Sequence, residues 1–237
     1  MKINILLCDT FPGLLPESIP SYESMFMNLF DSVEKEPEYE VFNVFDGNLP
    51  HNMMTKELYV ITGCNLSVYD NVAWIKSLLE WIRRASTHHI HMLGICFGHQ
   101  ALAYALGGEV RRAASGWGVG KRESRFTSDV FQDCFPDGTM QILYNHHDQV
   151  TALPCMATRL AESAFCPNEA FLVGDYAVGI QGHPEYTTEY VTHLLLHHSQ
   201  QEDKETVRRA LSSLKDANHD GRLLCKAVLH LFPSLSV

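Results

Sequence analysis

Cys96, His183 and Glu185 are the side chains whose types and settings fit covalent catalysis. Cys96 lies in Gly94-Ile95-Cys96-Phe97-Gly98-His99-Gln100. A short apolar, β-prone run over 90–95 precedes it. Helical spacing over 97–106 follows and stops at Gly107-Gly108. The pattern predicts a strand turning directly into a helix with Cys96 on the corner. Gly94 and Gly98 lack the Cβ atoms that would crowd so sharp a turn, which makes this the sulfur counterpart of the Gly-x-Ser-x-Gly nucleophile elbow. A thiol there is expected to project into solvent and to meet the positive end of a helix dipole, a setting that favours the attacking thiolate. The alternative is a buried free cysteine at the end of a core strand.

A thiol nucleophile needs a base, and the base an orienting group. Gln181-Gly182-His183-Pro184-Glu185 offers both. In an extended segment every second side chain points the same way, so His183 and Glu185 would share a side. Pro184 favours that geometry by pushing His183 toward extended backbone. The carboxylate would then hold one imidazole nitrogen while the other faces the thiol. Any one of the 13 histidines is more often structural; the combination is what singles out His183.

Elements that could position these groups follow from the rest of the chain. With 46% hydrophobic and 19% charged residues the 237-residue chain resembles a soluble enzyme able to bury a large core. A net charge of -10, from 18 basic and 28 acidic groups, argues against a nucleic-acid partner. No apolar run reaches membrane-spanning length, the opening apolar run is too short for a signal peptide, and seven cysteines without disulfide-like spacing fit a reducing cytoplasm. No internal repeat or low-complexity segment is present.

Strands are expected over 3–8, 39–45, 58–62 and 90–95, and helices over 22–30, 72–84 and 97–106. This alternation predicts a single α/β domain: a mostly parallel twisted sheet with helices on both faces and ligands at the strands' carboxyl ends. Beyond Gly108, shorter β-like pieces over 116–126, 140–143, 160–165, 171–173 and 177–181 predict hairpins and a second, small mixed or antiparallel sheet. Helices return over 188–198, 203–214 and 222–231. The core is placed at about 1–200, with a helical extension over 201–237. Residues 11–30, the loop and helix after the first strand, are expected to overhang the thiol and set specificity.

The motif around Cys96, together with Gly182-His183-Pro184-Glu185, resembles the class I glutamine amidotransferases. Thr62-Gly63 followed by Ser67-Val68-Tyr69-Asp70 is similar to the oxyanion-loop region of the glutaminase domain of GMP synthetase, and Asn145-His146-His147-Asp148-Gln149-Val150 to its His-x-Asp-x-Val segment. The resemblance covers residues 1 to about 200 and implies the flavodoxin-like fold of that family. It implies a Cys96-His183-Glu185 triad that attacks the γ-carbonyl of glutamine or a γ-glutamyl compound, without cofactor or metal, through a thioester. It implies oxyanion donors at the amides of Cys64 and Phe97, and substrate contacts from Gly63, Gln100, His146 and Asp148. Cys64 stands where GMP synthetases carry a second glycine. A small-molecule substrate is expected. Two enzymatic versions stay open, a free-standing hydrolase of γ-glutamyl conjugates and a glutaminase subunit serving a separate synthase. A silent binding or regulatory module is the alternative of another class.

Three motifs are declined. Asp216-Ala217-Asn218-His219-Asp220-Gly221 copies half a calcium loop but has Ala227 at the twelfth position, and Asp220 reads better as a helix cap. The pairs and triples of histidine do not converge as zinc ligands. Gly116-Trp117-Gly118-Val119-Gly120 neither follows the first strand nor opens a helix, so it is no phosphate loop.

Overall fold

The computed structural model describes residues 1–10, 15–198, 202–232 and 235. Its strands are β1 Lys2–Leu7, β2 Glu38–Asn43, β3 Leu58–Ile61, β4 His91–Ile95, β5 Glu109–Arg112, β6 Gly118–Phe126, β7 Thr139–His146, β8 Asp148–Ala152, β9 Ala157–Glu162, β10 Ala170–Val173 and β11 Ala177–Ile180. Its helices are α1 Tyr22–Asp31, α2 Ala73–Thr87, α3 Phe97–Ala105, α4 Thr188–His198, α5 Lys204–Ser213 and α6 Gly221–Leu229. Nine strands form one sheet in the order β2-β1-β3-β4-β11-β10-β9-β6-β7. The first five are mutually parallel, and the rest continue antiparallel.

Burial explains which strands were legible. β3, β4 and β11 are buried along their whole length, because helices cover both faces, and they read as unbroken apolar runs. One apolar layer joins α1, α4 and α6 to the sheet, and the other joins α2 and α3. α2 supplies a stripe of Ile75, Leu78, Leu79 and Ile82, with Trp81 buried beside it.

Three expectations change. The hairpin strands do not make a second layer but extend the main sheet, while β5 and β8 form a separate two-stranded ladder that the polar Glu-Val-Arg-Arg of β5 conceals. The second strand ends at Asn43, where the chain tightens into a 3₁₀ turn over Val44–Asp46 closed by Gly47 at φ 84°. Asp220 does occupy the N-cap position of α6, yet its carboxylate accepts the Gln141 amide at 2.6 Å instead of capping the helix. In the same loop Lys121 Nζ donates to Asp216 Oδ2 and to the carbonyls of Asp216 and Asn218, so an ammonium already satisfies those oxygens.

The antiparallel half curls round. β7 is the sheet's far edge, four positions from β11, yet the backbone just past β11 returns to it, with the His183 amide donating to the Leu143 carbonyl at 2.7 Å. That closure brings the end of β11 and the end of β7 to the same rim as the end of β4. Among the described residues no helix is long and apolar enough to cross a membrane.

Candidate active site

The corner between β4 and α3 is shaped first by close backbone contact. A Cβ on Gly94 would lie 2.4 Å from the Gly98 carbonyl oxygen, and one on Gly98 would lie 2.1 Å from the Ile61 carbonyl oxygen, so backbone occupies both places. Cys96 between them adopts φ 52° and ψ -102°, a conformation that costs a non-glycine residue about 1–3 kcal/mol. Its amide donates to the Ile180 carbonyl at 2.9 Å, fastening the corner to β11. The thiol does not project into open solvent as expected. Cys96 is 6% exposed, its sulfur faces the Asn145 carbonyl at 3.8 Å, and it lines a cavity of about 610 Å³.

The structure brings His183 and Glu185 to this corner. Their pairing does not rest on strand alternation: residues 183–186 form a turn, with the Tyr186 amide donating to the His183 carbonyl at 3.4 Å. Pro184, with its fixed φ, suits the second position of such a turn. His183 Nδ1 donates to Glu185 Oε1 at 2.7 Å, and both side chains are buried. The Tyr186 ring lies flat on the imidazole, 3.8 Å away and 3° from parallel. Burial alone would depress the basicity of His183, but the charges of Glu185 and Cys96 outweigh it and hold the imidazole well above its usual value. Nε2 has no formed hydrogen bond among the described residues, and Cys96 is its neighbour on that side. Catalytic hydrogen bonds in unliganded sites are often open in this way.

Tyr22, at the first turn of α1, joins two parts of this site. Its hydroxyl accepts the Gly63 amide at 2.9 Å and donates to Glu185 Oε1 at 3.4 Å. A Cβ on Gly63 would fall 2.6 Å from that hydroxyl and 3.1 Å from the His183 ring, so only glycine fits. Beyond it, the amides of Cys64 and Phe97 are taken by no other backbone group among the described residues. The Cys64 thiol lines the cavity, accepts the Leu66 amide at 3.3 Å, and is pushed up to about 12 by burial, so it stays protonated.

Gln100, His146 and Asp148 all line the cavity, but their polar atoms are largely engaged within the protein. Gln100 Nε2 donates to the Asp148 carbonyl at 2.8 Å and to Gln181 Oε1 at 3.2 Å. Asp148 accepts Ser67 Oγ at 2.6 Å and Tyr69 Oη at 3.1 Å, one on each carboxylate oxygen. That clamp ties the loop after Gly63 to the start of β8. His146 Nδ1 meets the Asp148 carbonyl at 3.0 Å, and burial pushes the imidazole down to about 3, so it is neutral.

Arg112 and the α4 residues Tyr190, His193 and Leu194 line the cavity but were not singled out in the sequence; His197 and Trp117, which also line it, were weighed only for zinc and phosphate, and Tyr22 only as part of the 11–30 segment. Trp117 carried a signal in its glycine-rich run, read only against phosphate binding. Of the segment over 11–30, Leu15 reaches the cavity, and residues 11–14 lie outside the described residues.

Comparison with known proteins agrees with this architecture. The family model for class I glutamine amidotransferases matches residues 19–199. The chain is 32% identical over 235 residues to gamma-glutamyl peptidase 3 of Arabidopsis thaliana, covering 94% of this chain and 93% of that one. A 96-residue stretch is 42% identical to one of the subunits of the glutamine-hydrolyzing GMP synthase of Methanoculleus marisnigri, covering 40% of this chain and 51% of that one. A glutamine amidotransferase from Thermotoga maritima superposes with a TM-score of 0.77 at 22% identity, over 100% of this chain and 98% of that one, which shows the shared fold. With most of its length matched by that family model and a relative above 30% identity nearly end to end, the chain belongs to the class I glutamine amidotransferase family.

Proposed function

We propose that the protein hydrolyses a γ-glutamyl C–N bond through a thioester on Cys96. The observation that carries the reading is the strained Cys96 corner, which lines the cavity, set beside the buried His183–Glu185 pair: a Cβ on Gly63 would lie 3.1 Å from the His183 ring and 3.7 Å from Cys96 Cβ. In this scheme His183 Nε2 takes the thiol proton, and the thiolate attacks the γ-carbonyl. The carbonyl oxygen gains negative charge and accepts hydrogen bonds from the Phe97 and Cys64 amides, which need no reorganisation. The imidazolium then passes its proton to the leaving nitrogen, and the C–N bond breaks. Water, deprotonated by His183, attacks the thioester and restores the thiol. Glu185 keeps Nδ1 protonated and stabilises the charged ring.

The raised basicity of His183 suits this role, since a base beside a thiol must hold the proton it takes. The gamma-glutamyl peptidase relative, matched along almost its whole length, favours a free-standing hydrolase. The local match to part of a GMP synthase supports a second reading, a glutaminase that passes ammonia to a separate synthase. Purified protein discriminates them: turnover of γ-glutamyl amides without any partner is expected, and silence until another protein is added would favour the second reading. A glutamine-like diazo ketone followed by peptide mapping tests the nucleophile. The adduct is expected on Cys96, and an unlabelled Cys96 beside labelled surface thiols would return the fold to the class of silent modules.

A further inference from the structure

The cavity is larger than a glutamine side chain requires, and one part of it has no role in the scheme above. At about 610 Å³ it falls in the range that encloses ligands of several tens of atoms. Its wall runs from the thiol through Asn145, whose carbonyl faces the sulfur and whose side chain accepts Trp117 Nε1 at 2.9 Å. The indole lies nearly parallel to the His147 ring, 13° apart at 5.8 Å. Next to His147 stands Arg112, the only lysine or arginine among the described cavity residues.

Arg112 is placed by backbone, not by charge. It ends β5 in register with Asp148 on β8, and the next amide, Ala113, donates to the His147 carbonyl at 2.7 Å. Its guanidinium donates through Nη2 to His147 Nδ1 at 3.4 Å. Among the described residues no carboxylate forms an ion pair with it. Asp148 is occupied by Ser67 and Tyr69, and Glu202 sits on the other imidazole nitrogen of His147 at 3.4 Å. An exposed arginine that lines the cavity, held to a ring nitrogen of His147 and with no ion pair among the described residues, has the chemistry of a carboxylate receptor.

We propose that Arg112 binds a carboxylate on the amine that leaves Cys96, with Trp117 covering the stem between them, so that the preferred substrates are γ-glutamyl amino acids or peptides rather than glutamine. This rests on the γ-glutamyl thioester reading. The reaction is unchanged: the C–N bond breaks, the proton from His183 goes to the leaving nitrogen, and the released group is an amino acid or peptide.

The test compares two substrates that differ by one carboxylate, γ-glutamylglycine and γ-glutamylmethylamide, in the wild type and in Arg112→Gln and Arg112→Lys. Expected is a wild-type kcat/KM ratio of about ten-fold or more in favour of γ-glutamylglycine, as for a charge-assisted hydrogen bond. Arg112→Gln should bring the ratio close to one, and Arg112→Lys should recover part of it. A wild-type ratio near one overturns the proposal. So does an equal fall for both substrates in Arg112→Gln, which would put Arg112 on the glutamyl half or in a structural role. No turnover of either substrate by the wild type would sink the hydrolase reading itself, an outcome separate from the other two.

Discussion

Cys96 and His183 follow neighbouring parallel strands, β4 and β11, whose last paired residues are Ile95 and Ile180, yet the two corners are made differently. The thiol's corner is local. A strand, two glycines and a helix from one short stretch carry it, and backbone atoms that cannot move aside, those of Ile61 on β3 included, fix the glycines. The imidazole's corner is assembled from afar. Its amide reaches β7, its ring rests on Tyr186, and its carboxylate partner is shared with Tyr22, 163 residues away in sequence. The first is set by steric exclusion, which is all or none; the second by charge and hydrogen bonds, which can be weakened by degrees. Substitutions in the two corners should therefore fail in different ways.

Gly98→Ala should have the largest effect. The added Cβ meets the Ile61 carbonyl oxygen at 2.1 Å with backbone on both sides, so β3 and α3 must part. A loss above about 3 kcal/mol is expected in urea unfolding, or no folded protein at all. A variant within about 0.5 kcal/mol of wild type would break the steric account. Cys96→Ala sharpens it: turnover is abolished and the fold is kept. Cys96→Gly should be equally inactive but more stable than Cys96→Ala by about 1 kcal/mol, because glycine adopts the positive φ without strain.

The other corner should yield gradually. Glu185→Gln removes the strongest influence raising His183, and burial then dominates, so the imidazole pKa should fall, as read by NMR of the ring protons. Turnover should drop by about 10²-fold or more while the protein still folds. The linkage has a definite sign. A histidine raised in the folded state contributes stability that is complete below its ordinary value near 6.5 and is lost as pH rises through the raised one. The stability that Glu185→Gln loses through His183 should thus be largest in mild acid and shrink toward alkaline pH. A deficit that grows with pH would contradict the charge assignment.

The same contrast explains what could be read from the sequence. The elbow was legible because the residues that mark it, Gly94, Cys96 and Gly98, lie in one short run at the end of a strand and the start of a helix, and β4 and β11 announced themselves as apolar runs buried on both faces. The pairing of His183 with Glu185 was legible, but its geometry was not. Alternation predicts an extended segment, and the turn appears only when β7 closes over the end of β11. The cavity wall at Arg112 was the least visible. β5 has too few apolar residues to show as a strand, so the placement of Arg112 beside Asp148 is purely a matter of long-range register. Gln100 and Asp148, matched to a motif as substrate contacts, also have a part that no motif shows: Gln100 Nε2 and both Asp148 carboxylate oxygens tie the loops of the site together.

Tyr22 is where the two corners meet, and Tyr22→Phe should give the mildest of these effects. The change deletes one oxygen and keeps the ring that packs against Phe26 at 5.3 Å. Two bonds go with it. The Gly63 amide, buried and next to the proposed oxyanion donor at Cys64, loses its acceptor, and Glu185 Oε1 loses a donor while keeping His183. A stranded buried amide costs about 1–3 kcal/mol of stability. A purely structural role would stop there. If Tyr22 instead holds the Gly63 peptide at the angle that aims the Cys64 amide at the developing oxyanion, kcat should fall by about ten-fold with KM little changed, since the missing interaction matters only after attack. Alkylation of Cys96 by iodoacetamide, which forms no oxyanion, should slow far less. Equal losses in alkylation and turnover would instead place Tyr22 with the base, acting through Glu185, and would make the oxyanion strand independent of α1.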